Sequence, residues 1–299
     1  MTKILIADGM DKAAVDQLKA VPGFDVTVAK GMSEADLIST VPGYSAIVVR
    51  SASRITRPVI EAGRDLKVLV RAGIGLDNID RDAAKEKGIF VANTPAATSI
   101  TVAEHTFGLM LGAVRNHAKA VLSMKAHKWD KKSLEGTELF GKTLGIIGCG
   151  RIGLEVAKRA LAFGMTVLCY DPISVKTDLA VKQVTLDALL AAADLITLHV
   201  PKQAKPILGE AEFGKMKTGV IIVNVARGGV VDENALLAAL NSGKVRAAAL
   251  DVYDKEPPED FALIDHPNVI PMPHLGAAAA EGQQRAGLEV VRILKEKLA

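Results

Sequence analysis

Aromatic residues are scarce, at 4% of the chain with a single tryptophan. The interior must therefore be packed from Ala, Val, Ile and Leu rather than from large rings. Cysteine is nearly absent. The two present, Cys149 and Cys169, lie in apolar or glycine-rich runs and form no Cys-x-x-Cys pair, so we expect two reduced, buried thiols of a cytosolic protein. No apolar run approaches the roughly 20 residues that span a bilayer, and the N-terminal MTKILIADGMD meets Asp8 before a signal-peptide core could form. We therefore expect a cytoplasmic protein with no membrane partner. The net charge is only +3, which gives no reason to propose nucleic acid as a partner. No histidine cluster has metal-ligand spacing, and no G-x-S-x-G elbow occurs, so neither a metal site nor a serine hydrolase is expected.

What the chain does have is alternation. Its 299 residues exceed one ordinary core, so two domains are expected. Short β-rich runs at 4–7, 26–29, 46–49, 68–70 and 89–92 alternate with helix-like segments. A second series runs through 144–147, 167–170, 195–198, 220–223, 247–250 and 269–270. Each series predicts a parallel sheet flanked by helices. Between them, residues 101–125 form one long helical stretch, apolar around most of its circumference through Val102, Phe107, Leu109, Met110, Leu111, Val114 and Val121. All-round apolarity implies burial on several sides, by the two domains or by a second subunit.

Gly148-Cys-Gly150-Arg-Ile-Gly153 directly follows the strand at 144–147 and opens a helix-like run to Phe163. A G-x-G-x-x-G string is weak alone; strand before and helix after make it a dinucleotide fingerprint. Gly148 permits the turn, Gly150 clears the approach of a pyrophosphate, and Gly153 lets helix and strand pack closely. Asp171 ends the next strand, 18 residues beyond Gly153. A carboxylate there accepts hydrogen bonds from the adenosine ribose and repels a 2′-phosphate, which selects NAD over NADP. The other glycine pair, Gly73-Ile74-Gly75, lacks a third glycine and reads as a loop facing a cleft.

Reduction of a 2-keto acid needs a cation for the carboxylate and a proton donor at the carbonyl. Arg227, Glu256 and His274 all follow strand-like runs at their C-terminal ends, where open α/β sheets place their sites. A guanidinium grips a carboxylate bidentately. Histidine exchanges a proton near neutral pH, and a carboxylate on its far nitrogen orients the ring and favours its charged form. Taken singly, each also reads as an ordinary loop residue, and His105, His117, His127, His199 and His266 compete with His274 on composition.

Three stretches together resemble the signatures of the D-isomer-specific 2-hydroxyacid dehydrogenases: Asn224-Val-Ala-Arg-Gly-Gly-Val-Val-Asp232, Ala248-Ala-Leu-Asp251 leading to Glu256-Pro257, and Pro273-His-Leu-Gly276. The resemblance covers essentially the whole chain. It implies two doubly wound α/β domains: a Rossmann NAD domain at 98–279 and a flavodoxin-like substrate domain made of 1–97 and 280–299, with a C-terminal helix at about 281–298 returning to the latter. It implies Arg227 as the carboxylate and carbonyl anchor, His274 as acid/base and Glu256 as its partner. Cofactor contacts would fall on Ile74, Gly148, Gly150, Arg151, Ile152, Gly153, Asp171, Val200, Val225, Ala226, Asp251 and Gly276, and the family suggests a homodimer.

The first third is most similar to the phosphoglycerate dehydrogenase branch, through Val49-Arg50-Ser51-Ala52-Ser53 and Arg71-Ala-Gly-Ile-Gly-Leu-Asp-Asn78. That likeness implies a phosphorylated 2-hydroxy acid as substrate, specifically 3-phosphoglycerate of serine synthesis, contacted by Arg50, Ser51, Arg71, Gly73, Arg227 and His274. Arg50 and Arg71 could instead pair with carboxylates such as Asp77 or Asp80. The chain departs from the family pattern at Thr98, at Lys202-Gln-Ala-Lys-Pro206 and at Ala278-Ala279, which bears on the substrate more than on the reaction. Glyoxylate, hydroxypyruvate or another 2-keto acid remains open as substrate, as does a non-catalytic NAD-sensing interaction protein.

Overall fold

The computed structural model describes residues 1–298. The chain divides into two compact units, one made of Met1–Ser99 with the segment from Ala277 onward, the other of Ile100–Gly276. In the first, strands β1 (Thr2–Ile6), β2 (Phe24–Val28), β3 (Ala46–Val49), β4 (Val68–Arg71) and β5 (Phe90–Asn93) form an all-parallel sheet in the order β2-β1-β3-β4-β5. This is the flavodoxin-like order, with its switch point between β1 and β3. Helices α1 (Lys12–Lys19), α2 (Glu34–Thr40), α3 (Arg57–Ala62) and α4 (Arg81–Glu86) connect the strands. Three of them start where the sequence offers an N-cap: Asp11, Ser33 and Asp80 each accept a backbone N–H from the first turn.

The central strands β3 and β4 are buried on both faces and so read as nearly unbroken apolar runs, whereas the edge strands β2 and β5 are largely half-buried or exposed. One face is covered by α1 and the C-terminal helix, whose Ala286, Val290, Ile293 and Leu294 join Ile4, Ile6, Val48 and Val70. On the other, Leu37, Val59, Ile60 and Ala83 cover Leu5, Ile47 and Leu69.

In the second unit, β6 (Thr143–Ile147), β7 (Thr166–Tyr170), β8 (Val181–Gln183), β9 (Leu195–Leu198), β10 (Val220–Asn224), β11 (Val245–Leu250) and β12 (Val269–Pro271) form a seven-stranded parallel sheet in the order β12-β11-β10-β9-β6-β7-β8. Both expected sheets are present and the fold is doubly wound. The helices are α5 (Ser99–Val114), α6 (His117–Lys125), α7 (Arg151–Ala162), α8 (Leu186–Ala192), α9 (Glu210–Lys215) and α10 (Glu233–Asn241); α11 (Ala280–Leu298) belongs to the first unit. β8, Val-Lys-Gln, carries no apolar alternation; it exists because Val181, Lys182 and Gln183 pair with β7.

Two expectations fail. The single helix over 101–125 is two helices. Asn116 takes the left-handed conformation, φ +56°, and its amide donates to the carbonyls of Leu134 and Glu135. Helix α5 is buried through Val102, Phe107, Leu109, Met110 and Val114, whereas Val121 on α6 is 52% exposed. Apolarity therefore predicts burial within this unit only for α5. The cysteines are buried, but Cys149 and Cys169 are joined as a disulfide rather than held as thiols. Pairing of β6 with β7 sets Ile146 beside Cys169, and Cys149 follows within the turn, with the two Cα atoms 6.3 Å apart. Two cysteines 20 residues apart carry no pairing signal in the sequence.

Candidate active site

The glycine loop lies where β6 passes into α7. Gly148 has φ +92°, a conformation glycine alone adopts without strain, and a Cβ there would stand 2.6 Å from the His199 carbonyl oxygen. A Cβ on Gly153 would strike the Gly148 carbonyl, so this residue fixes the close approach of helix to strand. Gly150 differs: a Cβ there would meet nothing within 4 Å. It is the N-cap of α7 and makes no side-chain cap bond. The loop thus leaves an open approach to a helix N-terminus, where backbone N–H groups and the helix dipole favour an anion.

Asp171, just beyond β7, accepts the Cys149 N–H at 2.9 Å and the Ile173 N–H at 3.0 Å. It is half-buried. A carboxylate offers about four acceptor sites, so capacity remains for ribose hydroxyls. Arg151 is exposed at the first helical position, Ile152 and Val200 are half-buried beside the loop, and Val225 and Ala226 are buried at the end of β10. The donor set, the cleared approach and the acidic residue fit a dinucleotide.

His274 and Glu256 meet. His274 Nδ1 and Glu256 Oε2 are 2.7 Å apart, and the other Glu256 oxygen accepts the Tyr253 N–H at 3.1 Å. The hydrogen bond that His274 donates to Glu256, with the carboxylate's charge, raises the His274 pKa against the effect of partial burial. Burial pushes the Glu256 carboxyl up, but the hydrogen bond and charge of His274 outweigh it and leave the group below its usual range. Both shifts favour an imidazolium–carboxylate pair. Arg227 follows β10; its Nη1 donates to the Ala226 carbonyl at 2.6 Å, and its charge opposes protonation of His274. Gly228 must be glycine because a Cβ would collide with the Tyr253 carbonyl. The structure therefore brings Arg227, Glu256 and His274 into one electrostatic neighbourhood.

Asp251 has a position the sequence does not reveal. It is fully buried, and its two oxygens accept the N–H groups of Leu275 and Gly276, each at 2.7 Å. These are the two residues after His274, which itself has φ +57°. A left-handed conformation costs a non-glycine residue roughly 1–2 kcal/mol, and the buried carboxylate holds the following backbone in place. His105 Nε2 lies 3.2 Å from the same carboxylate. Of the competing histidines, His199 is half-buried, and loss of solvation around its ring pushes its pKa down to about 3, which favours the neutral form. His266 accepts the Asn268 N–H through Nδ1.

The remaining candidates lie in the first unit. Arg71 is committed internally: Nε donates to the Arg50 carbonyl at 2.9 Å, Nη1 donates to the Gly75 carbonyl, and Nη1 is 3.8 Å from Asp77. Arg50 follows β3, and among the described residues its guanidinium has no hydrogen-bond or ion-pair partner. Ser51 is exposed beside it, while Gly73 and Ile74 are half-buried in the loop after β4.

Comparison with known proteins agrees with this geometry. Residues 107–276 match the family model described as D-isomer specific 2-hydroxyacid dehydrogenase, NAD binding domain. The chain is 49% identical over 300 residues to the hydroxypyruvate reductase of Thermotoga maritima, covering 98% of each. It is 48% identical over its whole length to the D-3-phosphoglycerate dehydrogenase of Methanocaldococcus jannaschii, but spans only 58% of that protein. Among solved structures, a glyoxylate reductase from Paecilomyes thermophila superposes with TM-score 0.90 at 33% identity, covering 99% of this chain and 94% of that one. The D-lactate dehydrogenase of Aquifex aeolicus, complexed with NAD and lactic acid, gives 0.86 at 30%, covering 98% and 94%. The chain belongs to the D-isomer specific 2-hydroxyacid dehydrogenase family. Its cofactor is NAD, and its substrates are small 2-hydroxy acids or the matching 2-keto acids.

Proposed function

We propose that the protein oxidises D-3-phosphoglycerate to 3-phosphohydroxypyruvate, as in the entry to serine synthesis. The observation that carries this reading is Arg50, whose guanidinium follows β3, has no partner among the described residues and can pair with a phosphate. In the reaction, Arg227 grips the substrate carboxylate and polarises C2–O. Neutral His274 takes the hydroxyl proton on its Nε2, and Glu256 on Nδ1 stabilises the resulting imidazolium. Bound NAD would supply the acceptor for the hydride leaving C2. Gly148, Gly150 and the first turn of α7 would hold its pyrophosphate, with Asp171 at the adenosine ribose.

A second reading is reduction of hydroxypyruvate or glyoxylate. It is supported by the hydroxypyruvate reductase relative, which matches this chain end to end, and by the internal engagement of Arg71, which leaves Arg50 as the lone uncommitted cation of the pair. NADH oxidation with 3-phosphohydroxypyruvate and with hydroxypyruvate, side by side, separates the two. A kcat/KM at least tenfold higher for the phosphorylated acid supports the first reading; a preference for hydroxypyruvate or glyoxylate supports the second. No turnover with any 2-keto acid would return the chain to an NAD-sensing protein.

The assembly we favour is a homodimer. Supporting it are the exposed apolar side chains of α6 and the segment after it, Val121, Leu122, Met124 and Trp129, which a second copy would cover. Sedimentation at micromolar concentration should give twice 31.5 kDa, and a monomer would refute it. We place the protein in the cytoplasm; cell fractionation tests this.

A further inference from the structure

In the first unit, the switch point between β1 and β3 is already filled by an anion of the chain itself. Asp8 lies just past β1. One carboxylate oxygen accepts the N–H of Arg50 at 2.7 Å and of Ala52 at 3.2 Å. The Ser53 N–H points to both oxygens, at 2.9 and 3.2 Å. Backbone N–H groups converging in a turn form a nest of the kind that binds phosphate or carboxylate ligands, and the carboxyl edge at a switch point is where such folds place a ligand.

Here the ladder itself sets the register. Ile6 pairs with Val48, so the chain leaving β1 runs alongside the chain leaving β3 and delivers Asp8 to the loop carrying Arg50. The far side of that loop is tied as firmly. The Arg50 carbonyl accepts from Arg71 Nε and from Asn78 Nδ2, the Ser53 carbonyl accepts a second bond from Asn78 at 2.8 Å, and the buried Ser53 hydroxyl accepts the Met32 N–H.

We infer that Asp8 is a positioning residue for substrate recognition. It occupies the anion nest of the 50–53 loop, so that the amides cannot take the substrate's anion and recognition passes to the Arg50 side chain, carried on a backbone that Asp8 and Arg71 hold in place. The role rests on Arg50 and Ser51 being substrate contacts. It does not depend on the recognised group being phosphate, because Asp8 places the loop for whichever acid is bound. A carboxylate here has a chemical requirement that a mere space-filler lacks: three N–H groups need an acceptor with two oxygens. Asparagine has the same shape, but its amide nitrogen would face one of those donors.

The test uses the full-length enzyme with Asp8→Asn, an isosteric change, and Asp8→Ala, with steady-state kinetics on the preferred 2-keto acid, NADH affinity by fluorescence and thermal melting. Both variants should raise KM for the acid by roughly tenfold or more, the scale of one lost charge-assisted hydrogen bond. The kcat should change less than KM, and NADH affinity should not change. In Asp8→Ala, formate at millimolar concentration should refill the nest and lower KM again, while chloride at equal ionic strength should not. Unchanged KM in both variants overturns the proposal. So does a parallel fall in kcat, NADH affinity and melting temperature in both variants with no formate rescue of Asp8→Ala, since that is the mark of general unfolding. Failure of the phosphate reading shows elsewhere, as equal losses on phosphorylated and unphosphorylated acids in Arg50→Ala.

Discussion

His274 Nδ1 and Glu256 Oε2 stand 2.7 Å apart, with Glu256 oriented from behind by the Tyr253 N–H. The pair leaves Nε2 of the same ring as the nitrogen that can exchange a proton with substrate. His274→Ala should lower kcat by roughly 10²–10⁴-fold, the usual scale for a lost acid/base group, with NADH binding retained. The raised His274 pKa keeps the imidazolium, the form needed for reduction, to higher pH. In Glu256→Gln that support is lost and the pKa falls. The alkaline limb of the reduction profile should then move to lower pH, and oxidation, which needs neutral His274, should begin at lower pH. Superimposable profiles for wild type and Glu256→Gln would dissolve the pairing.

Asp251 should act on His274 through the backbone. Asp251→Ala leaves the N–H groups of Leu275 and of buried Gly276 without their acceptor, a cost of roughly 1–3 kcal/mol in stability. The loop that carries His274 in its left-handed conformation should loosen, and kcat should fall with it. A variant that melted normally and turned over at the wild-type rate would show that the loop holds itself.

Asp171 should govern cofactor choice. Asp171→Ala removes the acceptor expected at the ribose and the charge that opposes a 2′-phosphate, so kcat/KM with NAD should fall and the preference over NADP should narrow. The same substitution frees the Cys149 N–H, so it should be made beside Asp171→Asn, which keeps an acceptor while removing the charge. Equal kcat/KM ratios for the two cofactors in both variants and wild type would place discrimination elsewhere.

Arg50 and Arg71 should part company. Arg50→Ala should raise KM for 3-phosphohydroxypyruvate, by the equivalent of roughly 1.5–3 kcal/mol for a charged hydrogen bond, with little effect on hydroxypyruvate. Arg71→Ala also removes the bonds to the carbonyls of Arg50 and Gly75, so it should lower the melting temperature and weaken every substrate. Indistinguishable behaviour of the two variants on both acids would mean that the internal bonds of Arg71 have no consequence.

Much of this was legible in the chain before any fold was known. Two runs of buried parallel strands announce themselves as apolar stretches because both faces of each sheet are covered, and glycines at 148, 150 and 153 between a strand and a helix carry the dinucleotide loop with them. Arg227, Glu256 and His274 each follow a strand, but it is the resemblance to the family signatures that implies them as a set. Local sequence determined these features through periodicity, backbone freedom and side-chain chemistry. What tertiary structure alone decided are the partnerships between residues far apart in the chain. Nothing near Asp8 says that it caps the amides of residues 50–53, nothing near Asp251 that it grips residues 275 and 276, and nothing near Arg71 that its guanidinium turns inward to the Arg50 carbonyl. The Cys149–Cys169 disulfide belongs to the same class. Each depends on which strand ends lie side by side, and strand order is set by the packing of the whole sheet, so a carboxylate's partner is chosen by neighbours its own segment cannot specify.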